Sequence, residues 1–156
     1  MAIIKTTNRL ILNLAFPLTI ITFILFTKWW IADVVDGTDG VMYGFPFIYK
    51  APAFYTSMAE QYFIMEFLID FIFYFTVVFS ILFLINKFIV EIYLKQKLLI
   101  IIYLIAAILF GLETLMATVF ETNFLIKRDF DIVVKQTGAK FYFSTNERDE
   151  FNKLHQ

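Results

Sequence analysis

Residues 71–86 read FIFYFTVVFSILFLIN, sixteen consecutive positions without a charged side chain. Two other uncharged runs cover residues 10–27 and residues 98–112. When each run is extended to its flanking polar residues, it reaches the ~20 residues with which a helix crosses the hydrocarbon core of a bilayer. The sequence therefore predicts an all-α membrane protein with three transmembrane helices, at about residues 10–32, 62–86 and 98–122.

The composition supports a membrane location and narrows the classes of function. Of the 156 residues, 60% are hydrophobic and 20% are aromatic, whereas soluble domains are roughly half apolar. The net charge of −1 offers no basic surface, so nucleic acid is not an expected partner. The absence of cysteine excludes disulfides, iron–sulfur clusters and cysteine-ligated zinc. We expect neither a cofactor nor a metal site.

The first predicted span carries signals at both ends. Trp29 and Trp30 suit the aromatic belt of a membrane interface, and Lys28 can extend its amine to the headgroups beside them. Basic residues precede this span and three aspartates follow it, which predicts that the N-terminus lies on the cytoplasmic side of the membrane. Within the span, Pro17 cannot donate a hydrogen bond to the Asn13 carbonyl, and both residues are predicted to serve helix packing.

Two segments are predicted to lie outside the spans. Residues 33–61 are aromatic and interrupted by prolines, which predicts an interfacial loop. Residues 127–156 form a small extramembrane tail, separate from a membrane domain of residues 1–126. The tail pattern predicts a β-hairpin that turns at residues 136–140, followed by a short helix that begins at Asn146.

Small side chains form a stripe along the third predicted span. They recur at spacings of four, three and four residues, at Ala107, Gly111, Thr114 and Thr118. Such a stripe lets another helix approach closely. We therefore expect a lipid-embedded homo-oligomer or a complex with other membrane subunits.

Three carboxylates are candidates for a proton or cation site. Asp70 and Glu113 lie roughly 12 and 13 Å along their predicted helices from the same membrane surface, and Glu66 lies one turn above Asp70. Acids at membrane depth are costly and mark functional sites. The structural alternative is that Asp70 fixes the bundle by pairing with a lysine or a tyrosine hydroxyl, and that Glu66 lies among the headgroups.

Residues 43–46 read YGFP, and residues 67–73, about two dozen positions later, read FLIDFIF. This pattern resembles one in small uncharacterised prokaryotic membrane proteins, in which an aromatic, glycine- and proline-containing stretch precedes a helix with a single buried Asp. The resemblance covers about a quarter of the chain. It implies a role for Asp70 and a loop that covers it, and it implies no activity.

These observations predict a non-enzymatic membrane subunit that assembles through helix–helix contacts. A small proton or cation channel or transporter that uses the intramembrane carboxylates is the alternative. No catalytic residue is assigned, because no Ser, His and Asp set has a histidine inside the predicted fold.

Overall fold

The computed structural model describes residues 3–4, 8–35, 39–53, 59–119 and 122–154. The prediction of an all-α, three-span protein is wrong. The fold is mixed α/β, with 27% strand, a six-stranded sheet and four helices in the part described. Of those helices, two are long and apolar enough to cross a membrane, judged by length and composition.

Three helices are apolar, and they correspond to the three uncharged runs. Helix α1 (Asn8–Leu25) stops seven residues short of the predicted end of the first span and is immediately followed by a strand. Helix α2 (Ile64–Leu84) continues as a π-helical segment (Ile85–Ile89), and helix α3 is Gln96–Val119. Helices α2 and α3 match the positions of the second and third predicted helices to within a few residues.

The chain divides into two compact units. One comprises residues 1–24 and 71–113, and the other comprises residues 25–70 and 114–156. In the first unit, Phe23 of α1 makes edge-to-face ring contacts with Phe71 and Tyr74 of α2. Strand β1 (Ile3–Ile4) pairs with strand β6 (Leu94–Lys95), which precedes α3. The start of the chain is therefore paired with the α2–α3 connection.

The second unit contains the six-stranded sheet. Its strands are β2 (Phe26–Val34), β3 (Gly40–Tyr43), β4 (Lys50–Pro52), β5 (Glu60–Phe63), β7 (Thr122–Leu125) and β8 (Ile132–Phe141). They lie in the order β7-β5-β4-β3-β2-β8, and β5 and β7 are the parallel pair. The prediction of an interfacial loop is wrong for much of residues 33–61, because they supply the end of β2, all of β3 and β4 and the start of β5.

The sheet core explains why these aromatic segments form strands. Alternate positions are buried along β3 and β5, so that one face of each strand packs inward. The buried core is formed by Ala32, Val34, Met42, Ile48, Ala51 and Phe63. Side chains two residues apart on a strand lie on the same face, as Ala32 and Val34 of β2 do.

The C-terminal segment differs from its prediction in one respect. Residues 136–140 are not a turn but the middle of the ten-residue strand β8, which pairs along its length with β2. Gly138 lies against Trp29, whose Cζ2 atom would be 2.3 Å from an added Cβ. The glycine therefore makes room for a ring rather than forming a hairpin. Helix α4 (Asn146–Leu154) begins where the sequence predicted.

Candidate functional site

Asp70 is fully buried in the second turn of α2 and binds the loop between β3 and β4. Its Oδ2 atom accepts a hydrogen bond from the backbone N–H of Phe45 at 2.8 Å, and its Oδ1 atom accepts one from Phe47 at 2.9 Å. Both carboxyl oxygens are therefore used by one loop. The sequence resemblance joined the same two segments, and the structure shows that they are in contact.

The backbone conformation of the loop held by Asp70 requires a glycine at position 44. Gly44 has φ of +148°, and an added Cβ would lie 1.9 Å from the Phe47 carbonyl oxygen. The Phe45–Pro46 peptide bond is cis. The Gly44 N–H donates to the Lys28 carbonyl, and the Gly44 carbonyl accepts from Trp30 Nε1 at 2.8 Å. We call residues 44–48 the Asp70 loop.

The other two predicted carboxylates have different surroundings. Glu66 accepts a hydrogen bond from the Arg128 backbone N–H at 3.3 Å through Oε1, while its Oε2 atom is buried without a partner among the described residues. Glu113 is partly buried and belongs to the other compact unit. Within the described ranges, no group of three or more His, Cys, Asp or Glu side chains could hold a metal ion.

The predicted interface anchors lie in a strand rather than at a helix end. Lys28, Trp29 and Trp30 are consecutive residues of β2. Trp29 is buried in the sheet unit, and the Lys28 amine lies 3.8 Å from the centre of the Trp30 ring. Trp30 contacts the Asp70 loop through its hydrogen bond to Gly44, whereas Trp29 lies against Gly138 of β8. The placement of these anchors at the end of a first span is therefore corrected.

The predicted packing residues are distributed between buried and exposed positions. Pro17 is fully buried in α1, whereas Asn13 is exposed. Of the stripe on α3, Ala107, Gly111, Thr114 and Thr118 are all exposed. An added Cβ at Gly111 would meet no described heavy atom within 4 Å. Among the described residues, the stripe is therefore exposed and has open space beside Gly111.

The sequence does not predict a buried polar cluster that joins α4 to the sheet. Glu147 of α4 is 2% exposed, and its Oε1 atom accepts hydrogen bonds from the Lys140 amine and, at 3.3 Å, from the Tyr43 hydroxyl. Burial first, and then the Glu147 carboxylate, raise the pKa of Tyr43 to about 12. The cluster attaches α4 to the sheet. Since Tyr43 and Glu147 are 104 residues apart, no local pattern marks it.

Helices α2 and α3 expose many large apolar side chains. Only 6% of the most apolar 18-residue window of each helix is buried. On α3, the exposed side chains of Leu98, Leu104 and Phe110 are six residues apart, so they point in directions separated by about 120°. A helix in the core of a soluble protein buries most of its sides. This helix exposes apolar side chains all around.

Comparisons with protein-family models, with curated proteins and with solved structures found no match.

Proposed function

We propose that the chain is a non-enzymatic membrane subunit in which α2 and α3 form a two-helix anchor for a mixed β-sheet domain. The observation that carries this proposal is the apolar, almost unburied surface of both helices. Large contiguous apolar surfaces in contact with water are rare and costly, whereas lipid tails cover such a surface without cost. The backbone of each helix satisfies its own hydrogen bonds, as the hydrocarbon region requires.

The chain path fits an anchor of two crossings. Strands β2–β5 precede α2, and β7, β8 and α4 follow α3. Two crossings return the chain to the side from which it left, so strands from both segments can join one sheet. The observed pairing of β2 with β8 and of β5 with β7 is of this kind.

We propose that the α2–α3 connection lies on the cytoplasmic side of a prokaryotic cytoplasmic membrane. Lys87, Lys95 and Lys97 lie in or next to the connection, and clustered lysines in short loops favour the cytoplasmic side. The sheet domain would then face away from the cytoplasm.

The subunit is proposed to assemble with a second copy or with other membrane proteins through α3. Its exposed stripe of small residues leaves open space beside Gly111, and small residues let helices approach closely in a bilayer. Ion transport is the weaker alternative, because both oxygens of Asp70 already accept hydrogen bonds from the protein backbone.

Single-cysteine labelling tests the anchor, since the natural chain has no cysteine. Val90→Cys places a thiol in the α2–α3 connection, and Asp149→Cys places one on exposed α4. With a membrane-impermeant maleimide, we expect intact cells to label Asp149→Cys alone and permeabilised cells to label both. Equal labelling of both variants in intact cells, or release of the protein by alkaline carbonate, would contradict the two-crossing anchor. The opposite labelling pattern would reverse the orientation only.

A further inference from the structure

The Asp70 loop lies beside the part of α2 that would enter the membrane. Asp70 is six residues beyond Ile64, the first residue of the candidate span, which corresponds to ~9 Å along the helix. The backbone nitrogens of Phe45 and Phe47 are within 2.9 Å of its carboxyl oxygens. The loop is therefore level with the second turn of α2, and not with its first residue.

Three backbone N–H groups of the loop satisfy a condition that lipid imposes. An irregular segment exposes N–H groups, and each unpaired group costs several kcal/mol in hydrocarbon. In this loop the N–H of Gly44 donates to a carbonyl, those of Phe45 and Phe47 donate to Asp70, and Pro46 has none. A loop in water would need no such arrangement, because water satisfies its donors.

The two phenylalanine side chains of the loop point outward. Phe45 is 39% exposed and Phe47 is 52% exposed, although both flank a fully buried acid. On α2, the neighbouring Leu68 and Ile69 are also exposed. The rings of the loop and the neighbouring side chains of α2 are thus both exposed and apolar.

We propose that the Asp70 loop is inserted into the bilayer interface, with the rings of Phe45 and Phe47 in contact with lipid. Asp70 supplies the hydrogen-bond acceptors that the inserted backbone needs, so it is a positioning residue for this membrane contact. The partner of the Asp70 loop is the lipid surface itself. This inference rests on the proposed membrane anchor, but it assigns to the sheet domain a second contact with the bilayer that the helices alone do not require.

Spin labels at single cysteines test the loop in vesicles of phosphatidylethanolamine and phosphatidylglycerol. The readout is the accessibility of the label to molecular oxygen, which concentrates in lipid, relative to a water-soluble nickel chelate. Phe47→Cys reports on the loop, Ile81→Cys on an exposed site well inside the α2 span, and Thr137→Cys on an exposed site of β8. We expect the oxygen-to-nickel ratio at Phe47→Cys to exceed that at Thr137→Cys several-fold.

The controls separate the two proposals. A water-like ratio at Phe47→Cys, with a lipid-like ratio at Ile81→Cys, would overturn the loop insertion and leave the anchor intact. Water-like ratios at both sites would overturn the anchor itself. In the Asp70→Asn background, we expect the ratio at Phe47→Cys to fall toward that at Thr137→Cys, with Ile81→Cys unaltered. An unaltered ratio at Phe47→Cys would overturn the role of Asp70.

Discussion

The indole ring of Trp29 lies over Gly138 so closely that an added Cβ would be 2.3 Å from its Cζ2 atom. The two residues pair across β2 and β8. Gly138→Ala should therefore force the ring or the strand to move, and overpacking of this kind lowers the free energy of unfolding by about 1–3 kcal/mol. Thermal unfolding in detergent, followed by tryptophan fluorescence, measures the loss. Ala139→Ser, at the exposed neighbouring position, is the control, and equal stability of the two variants would contradict the contact.

Asp70→Asn should destabilise the sheet unit without affecting ion flux. An amide can accept one of the two backbone hydrogen bonds through its oxygen, but its NH₂ group then faces the other donor. We expect the free energy of unfolding to fall by about 1.5–3 kcal/mol, given the usual strength of a hydrogen bond to a charged group. Chemical denaturation measures the loss, and vesicles loaded with a pH-sensitive dye report the flux. A flux that is present in the natural protein and lost in this variant, with stability unchanged, would favour the transport alternative.

Tyr43 should make the sheet unit less stable at alkaline pH. Its pKa is raised from the ordinary 10.0 to about 12, so between these values the folded chain holds a proton that the unfolded chain has lost. Stability is then complete below pH 10 and falls as the pH rises toward 12, by about 2–3 kcal/mol. Denaturation at several pH values measures this fall.

The same experiment with Tyr43→Phe isolates the contribution of Tyr43, because other groups also titrate above pH 10. The alkaline loss should be smaller in Tyr43→Phe than in the natural chain. Tyr142→Phe, in the turn after β8, is the matched control and should retain the full loss. Identical pH profiles for the natural chain and Tyr43→Phe would show that the phenol does not titrate in the buried cluster.

Gly111→Leu should weaken self-association in vesicles if copies of α3 pack through the small-residue stripe. A leucine would separate the helices, because the close approach of two helices in a bilayer depends on small residues at the contact. Energy transfer between labelled copies measures the association. Ile108→Leu alters an exposed residue outside the stripe and should leave the association unchanged. Association that survives Gly111→Leu would place the interface elsewhere.

The sequence predicted the elements that depend on local composition and missed those that depend on distant contacts. The sequence predicts α2 and α3 because an uncharged run of that length seldom forms anything other than an apolar helix. The change from helix to strand between Leu25 and Phe26 was not recognised, since no glycine, proline or charge marks it and the apolar run simply continues. An apolar run alone does not distinguish a helix from a buried strand.

The candidate site was predicted in part for the same reason. Asp70 stood out because a charged residue in an apolar helix is unusual. Its partners, Phe45 and Phe47, are more than twenty residues away, and only the resemblance associated the two segments. Gly138 was misinterpreted as a turn, because the ring that requires it belongs to Trp29, at the opposite end of the chain.

The pairing of β2 with β8 also constrains the order in which the protein can form. Trp29 and Gly138 are neighbours in the sheet, yet both long apolar helices are synthesised between them. During translation β2 must wait, with one edge unpaired, until the chain beyond α3 emerges. Such distant pairings fold slowly and leave strand edges open to wrong partners. If α2 and α3 insert into the membrane early, β2 and β8 should pair sooner, because the insertion brings both halves of the sheet to the same membrane surface.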